Sequence, residues 1–118
     1  MKAYRLYTTA DGGSAFEEGN ITRQQHITSA YFFLAEDAPE RMEYDWHPAP
    51  HRQYVLTLRG VLEFTVTDGS TFQLHPGDIL VAADTIGTGH KWSRLSNESW
   101  MRTYIVLEEG AEDGFTPL

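Results

Sequence analysis

The stretch Trp46-His47-Pro48-Ala49-Pro50-His51-Arg52-Gln53-Tyr54-Val55-Leu56-Thr57-Leu58-Arg59-Gly60 joins a histidine-rich, proline-stiffened segment to an apolar one. On a β-strand, successive side chains alternate between two faces, so His47, His51 and Gln53 fall on the same face. The two prolines fix their own backbone angles, and strict alternation therefore holds only from about Gln53 onward. The stretch predicts a buried strand with polar side chains at its beginning and a turn at its end.

Composition places the chain among ordinary globular proteins of one domain. It has 118 residues, of which 41% are hydrophobic and 22% charged, and domains commonly contain about 100 to 150 residues. The 17 acidic and 9 basic residues give a net charge of -8. Nucleic acids and anionic membranes require a cationic surface, so the sequence predicts neither as a partner. It contains no cysteine, which excludes disulfides, thiolate metal ligands and cysteine nucleophiles.

The sequence also lacks an apolar run of the length that a membrane span requires, about 18 residues. The first residues, Met1-Lys2-Ala3-Tyr4-Arg5, do not have the apolar stretch of a secretory signal. We therefore predict a cytoplasmic protein.

Short β-type runs separated by turn signals occupy most of the chain, and no helical period persists for ten residues. Asp68-Gly69 is a strong hairpin signal. The pattern over residues 14–23 is weak, and the acidic residues 109–118 are predicted to be a loose end. This organisation predicts an all-β sandwich or barrel. Besides the opening stretch, strands are predicted over residues 3–9, 27–34, 41–46, 61–67, 71–74, 79–83, 90–94 and 100–108.

The order of these strands and turns resembles the cupins, which are small double-stranded β-helix barrels of the jelly-roll type. The first cupin motif has two histidines, a glutamate and a closing glycine. Here Gly60 matches the glycine and His47 the first histidine, while Ala49 stands in place of the second histidine and Gln53 in place of the glutamate. The resemblance implies that His47 and Gln53 point into the barrel.

The second cupin motif carries a proline, a glycine, a histidine and an asparagine. Gly87 and His90 match it, whereas Thr85 replaces the proline and Arg94 the asparagine. The resemblance covers residues 31–107. It implies one cupin-like domain over residues 1–118, with N-terminal strands and an arm at 1–30, a barrel at 31–108 and the loose tail at 109–118.

A cupin metal site has three histidines and one glutamate. The resemblance therefore implies a weakened site for a divalent transition metal, with His47, Gln53 and His90 as ligands and His51 or water completing the shell. Nitrogen and oxygen ligands suit Zn, Fe, Mn, Ni or Cu without choosing among them. We expect Val55, Trp92 and Arg94 to line the pocket, although a core tryptophan and an edge arginine are the simpler interpretation of the last two.

Three functions remain open. The first is a metal-dependent oxygenase, isomerase or lyase in which His51 or another pocket residue moves a proton. The second is a metal-free enzyme of the sugar-epimerase type, with a histidine as base and Tyr104 or Tyr31 as acid. The third is a ligand-binding module without catalysis. All three take a small molecule as ligand, and the sequence favours the first because three polar donors remain at matched positions.

The sequence also predicts a homodimer. Small open barrels leave strand edges that are prone to pair, and cupins commonly dimerise through N-terminal strands. Residues 3–9 are therefore the predicted dimer element. His26 and His75 lie in turn-like segments and are predicted to be exposed.

Overall fold

A computed structural model describes residues 1–118, which form eleven β-strands and no α-helix. Helices with the length and hydropathy of a membrane span are accordingly absent. In chain order the strands are β1 (Lys2–Thr8), β2 (Ser14–Ile21), β3 (Ser29–Glu36), β4 (Glu43–His47), β5 (Gln53–Arg59), β6 (Leu62–Thr65), β7 (Thr71–Leu74), β8 (Ile79–Ala83), β9 (His90–Arg94), β10 (Met101–Leu107) and β11 (Phe115–Pro117).

The strands form two sheets. The larger has the order β11-β2-β1-β8-β5-β10-β3, and the smaller has the order β4-β9-β6-β7. All neighbouring strands are antiparallel except β1 and β8, which run parallel. The predicted all-β jelly-roll barrel is confirmed.

The main core lies between the two sheets because strands of both sheets direct alternate apolar side chains inward. On β6 and β7, Leu62, Phe64 and Leu74 are almost fully buried. A second apolar cluster covers the outer side of the larger sheet, so the middle of that sheet is buried on both faces. This second cluster consists of Ala3, Ile21, Tyr54, Ile79, Val81 and Phe115.

Two glycines allow close approaches that shape the barrel. Gly60 has a φ of 97°, and a Cβ atom there would lie 3.1 Å from the Cα atom of Trp100. Gly89 has a φ of 71°, and a Cβ atom there would collide with the carbonyl group of His47. Only glycine takes such backbone angles at no steric cost. Gly89 therefore lets the beginning of β9 lie against the end of β4.

The N-terminal region differs from the prediction in two respects. Residues 14–23 gave a weak pattern, yet Ser14–Ile21 is a full strand that pairs with β1 over seven positions. It forms there because β1 and β11 supply its hydrogen bonds on both sides, which a local pattern does not show. Strand β1 itself is bonded to β2 on one edge and β8 on the other. The predicted dimer element thus has no free edge.

The C-terminal residues also differ from the loose tail expected for 109–118. Phe115–Pro117 pairs with β2, and the side chain of Phe115 is buried. The hydroxyl group of Tyr54 donates a hydrogen bond to the carbonyl oxygen of Asp113. Burial and the nearby Asp113 carboxylate raise the pKa of Tyr54 to about 12. The end of the chain is a structural part of the larger sheet.

Candidate functional site

A cavity of about 330 Å³ opens between the two sheets. Ten of its fifteen lining residues are hydrophobic, which is typical of sites for small molecules. The walls are strongly aromatic, with Phe33, Phe64, Trp92 and Trp100. The polar groups that face the cavity are His47, Gln53, His90, Arg102 and Tyr104.

His47 and His90 are the two histidines of this cavity, and they lie side by side. They are directly opposite each other in the pairing of β4 with β9, and their ring centroids are 4.6 Å apart. The chain brings them together because Gly89, which has no side chain, sits against the His47 carbonyl. Residues that are 43 positions apart in the sequence thus form one polar corner of the cavity.

A buried carboxylate orients His90. The Nδ1 atom of His90 lies 2.6 Å from the Oδ2 atom of Asp84, and Asp84 is fully buried. With the carboxylate as acceptor, Nδ1 donates this hydrogen bond, and in the neutral imidazole Nε2 carries the lone pair. The other carboxylate oxygen, Oδ1, has no hydrogen-bond partner. The Asp84–His90 pair therefore forms a carboxylate–imidazole arrangement at the cavity wall.

His47 is held in the same tautomer by a different partner. Its Nδ1 atom lies 2.7 Å from the carbonyl oxygen of Asp45, which can only accept, so Nε2 is again the free acceptor. Burial lowers the pKa of His47, and the neighbouring His90 lowers it further. His47 is consequently an uncharged imidazole at neutral pH.

Acidification should reveal this lowered pKa as a loss of stability. An unfolded chain binds a proton at His47 with the ordinary pKa of 6.5, whereas the folded chain does so only at lower pH. The unfolded state then binds more protons, so stability falls as the pH drops below about 6.5. We expect the free energy of unfolding of His47→Gln to fall less steeply than that of the unaltered chain over this range. Parallel curves in denaturant titrations would contradict the prediction.

Tyr104 and Arg102 form a second polar corner. The Nε atom of Arg102 donates to the Tyr104 hydroxyl oxygen over 3.1 Å, which leaves the hydroxyl hydrogen free for a ligand. The guanidinium group also bonds Asp37 at 2.9 Å and lies 4.1 Å from the centre of the Trp100 ring. These contacts hold Arg102 in place, and Tyr104 is further packed against Phe33.

The structure gathers six of the eight residues that the sequence singled out for the site. Metal candidates His47, Gln53 and His90 line the cavity, as do Val55, Trp92 and Tyr104. Strand β10 directs the side chains of Arg102 and Tyr104 toward the cavity.

His51 and Arg94 lie elsewhere, in contrast to the catalytic and pocket roles predicted for them. His51 is exposed beside Tyr31 in a separate, open groove, because the proline-rich segment breaks the alternation that would have turned it inward. Arg94 is buried, but its Nη2 atom donates to the carbonyl oxygen of Pro39 at 3.0 Å. His26 and His75 are exposed, as predicted.

The sequence did not single out Asp84, the buried partner of His90. Asp84 follows the apolar β8 and precedes a glycine loop, so nothing in its spacing distinguishes it from a turn aspartate. Arg102 could have been found, because residues two positions apart on a strand share a face and Tyr104 was already a candidate.

No protein-family model matches the chain, and no curated protein matches it either. Among the solved structures that resemble the chain are two with low sequence identity. One is a conserved protein of unknown function from Streptococcus pyogenes, 17% identical, with a TM-score of 0.43 over 75% of this chain and 93% of that one. The other is a putative ethanolamine utilization protein Q from Salmonella typhimurium, 13% identical, with a TM-score of 0.41 over 91% and 95%. Likenesses at this level do not bear on function.

The lining residues do not fit the complete metal site that the cupin resemblance implies. Nowhere do three histidine, aspartate or glutamate side chains converge in a way that could hold a metal ion. Ala49 offers no ligand, Gln53 offers a neutral oxygen, and the nearest carboxylate, Asp84, is already bonded to His90. Two imidazoles and one amide form a weaker donor set than three imidazoles and a carboxylate.

Proposed function

We propose that this chain is a cupin-type enzyme that moves protons on a small molecule bound in the barrel cavity, and that this chemistry needs no metal. The observation that carries the proposal is the buried pair of Asp84 and His90, whose 2.6 Å contact leaves the Nε2 lone pair free at a largely apolar cavity. A buried carboxylate bonded to an imidazole is a common arrangement at sites where the imidazole acts as a general base.

The reaction class that suits this geometry is proton abstraction next to a carbonyl group. His90 Nε2 takes a proton from the carbon atom, and the electron pair of the broken C–H bond moves toward the carbonyl carbon. The carbonyl oxygen, which gains negative charge, accepts the hydroxyl hydrogen of Tyr104. Return of a proton to the same carbon restores the carbonyl group and gives Tyr104 its hydrogen back, and the carbon is epimerised when the proton arrives on its opposite face. When that carbon carries a hydroxyl group, passage of the hydroxyl proton to the Tyr104 oxygen and of a proton to the former carbonyl carbon gives the isomer instead, and neither route needs an oxidant or reductant.

The aromatic walls limit the substrate to a small, largely apolar molecule with few polar groups. A cavity of about 330 Å³ lies at the lower end of the usual range for ligand sites, which is about 300 to 1,000 Å³. Neutral His47 and the Gln53 amide offer hydrogen bonds to the oxygen atoms of such a ligand.

A metal-dependent enzyme is the second candidate. The observation in its favour is that His47 and His90 both have Nδ1 engaged by an oxygen atom, which is how ligating histidines are commonly oriented. His47, Gln53 and His90 would hold the ion, one of Zn, Fe, Mn, Ni or Cu, and the ion would polarise a substrate oxygen.

Hydrogen–deuterium exchange separates the candidates. Protein purified without an affinity tag is mixed in heavy water with a panel of small aliphatic and aromatic ketones and aldehydes, and the carbon next to the carbonyl is followed by NMR. We expect deuterium incorporation into at least one compound, unchanged by a chelator and absent in His90→Ala. Exchange that the chelator abolishes, with stoichiometric metal that His47→Ala also loses, would favour the metal enzyme.

Binding without exchange would instead favour a non-catalytic module. A ligand that binds only the folded state raises the melting temperature, so a thermal-shift screen with the same panel detects it. A compound that shifts the melting temperature but exchanges no proton contradicts the proposed catalysis.

A further inference from the structure

We propose that two copies of this chain associate through the free edge of β3. In the dimer, the two β3 strands lie antiparallel and join the two larger sheets into one. Strand β3 is the last strand of the larger sheet and is hydrogen-bonded only to β10. Its other edge presents unpaired backbone N–H and C=O groups, which favour pairing with another strand.

The other sheet edges are protected by familiar means, and β3 is not. Strand β11 has three residues and ends at a proline, which cannot donate a hydrogen bond to a further strand. Strand β7 has four residues, and the pairing of β4 has a register irregularity near two acidic residues. In contrast, β3 has eight residues, and the segment from Ser29 to Ala35 carries no charge and no proline.

The side chains of β3 are exposed on both faces of the sheet. Phe32 and Leu34 on the outer face are 70% and 71% exposed, and Tyr31 and Phe33 on the inner face are 50% and 43% exposed. A partner packed on one face would cover only two of these four side chains. A strand added at the edge covers all four, since its own side chains flank both faces.

The exposed area of β3 approaches that of one side of a dimer interface. At these exposures each of the three aromatic side chains leaves on the order of 100 Å² in water. With Leu34 and the backbone edge, each copy would bury several hundred Å², a large part of the roughly 800 Å² per partner of a standard interface.

Charge and symmetry favour a second copy of the chain as the partner. An antiparallel pair related by a two-fold axis places apolar residues of one β3 beside apolar residues of the other. It also places the two Glu36 side chains at opposite ends, where they do not face each other. Although each chain carries a net charge of -8, the paired segment itself is uncharged.

The proposed dimer would also complete the cavity wall. Phe33 lines the cavity and stacks on Tyr104 with ring centroids 4.8 Å apart. A second β3 beside it would shield Phe33 from water on the side where it is exposed. This inference stands independently of the proposed catalysis, because it rests on the sheet edge alone.

Light scattering coupled to size-exclusion chromatography tests the dimer at micromolar concentration. We expect about twice the chain mass of 13.4 kDa, and the mass of a single chain for both Phe32→Lys and Tyr31→Lys. Ile86→Lys is the matched control, because Ile86 is 68% exposed and lies outside the sheets, and it should remain dimeric. Circular dichroism establishes that each variant is folded.

Three results would overturn the proposal. One is a single-chain mass for the unaltered protein, and another is a dimer that survives both β3 substitutions. The third is dissociation by Phe32→Lys but not by Tyr31→Lys, since that result identifies packing on the outer face instead of pairing at the edge. If a lysine variant fails to fold, the same measurement with Phe32→Ser and Tyr31→Ser decides the outcome.

Discussion

Asp84→Asn is expected to slow proton exchange on a bound ligand at least about a hundredfold, within the range over which a positioned acid or base contributes to catalysis. The amide of asparagine can donate a hydrogen bond to His90 Nδ1, and that favours the tautomer with the proton on Nε2. The atom that should accept the substrate proton would then already carry one. Exchange measured by NMR across a range of pH values detects the change.

Asp78→Asn is the matched control for this variant. Asp78 also stands near a histidine, with 3.7 Å between its Oδ2 atom and Nδ1 of His75, but His75 is on the surface. The control should exchange ligand protons at the rate of the unaltered chain. Equal rates for Asp84→Asn and Asp78→Asn, with both variants folded, would show that the buried carboxylate does not orient the base.

Phe64→Ala is expected to lower the free energy of unfolding by about 3 to 5 kcal/mol, the usual cost of truncating a buried phenylalanine. Phe64 is 1% exposed, and its ring lies 5.3 Å from that of Phe72 and 5.9 Å from that of Trp100. It borders the cavity, so neighbouring side chains cannot easily close the space that its removal leaves. Chemical denaturation monitored by tryptophan fluorescence measures the loss.

Ile86→Ala provides the comparison for stability, since Ile86 is 68% exposed and surface truncations usually change stability by less than about 0.5 kcal/mol. A loss below about 1.5 kcal/mol for Phe64→Ala would mean that the ring does not fill the core as described. Because Phe64 also packs against His90 at 5.4 Å, its removal should weaken ligand binding as well.

The fold was predictable because the strong signals were local. Asp68-Gly69 and the apolar alternation around it predicted a hairpin, and Leu62–Thr65 pairs with Thr71–Leu74 on either side of that turn. The parts that the sequence did not predict depend on distant partners. Strand β2 has a weak pattern of its own and is stabilised by β1 and β11, and the tail is ordered because Phe115 finds a buried position beside β2.

The candidate site was only partly predictable for a related reason. His47, Gln53 and His90 were found because they occupy positions of the cupin motifs, and those positions point into the barrel. Asp84 was not, because its role depends on the path of the loop between β8 and β9. His51 was misplaced by alternation, which does not hold across Pro48 and Pro50.

The parallel pairing of β1 with β8 has a consequence for how the molecule folds. Ala3 is hydrogen-bonded beside Ile79, so the centre of the larger sheet joins segments that are far apart in sequence. The closure of such a loop has an entropic cost before any contact is gained, and folds dominated by distant contacts form slowly. The β6–β7 hairpin can form early, whereas the interior of the barrel exists only after the first strand has found the eighth.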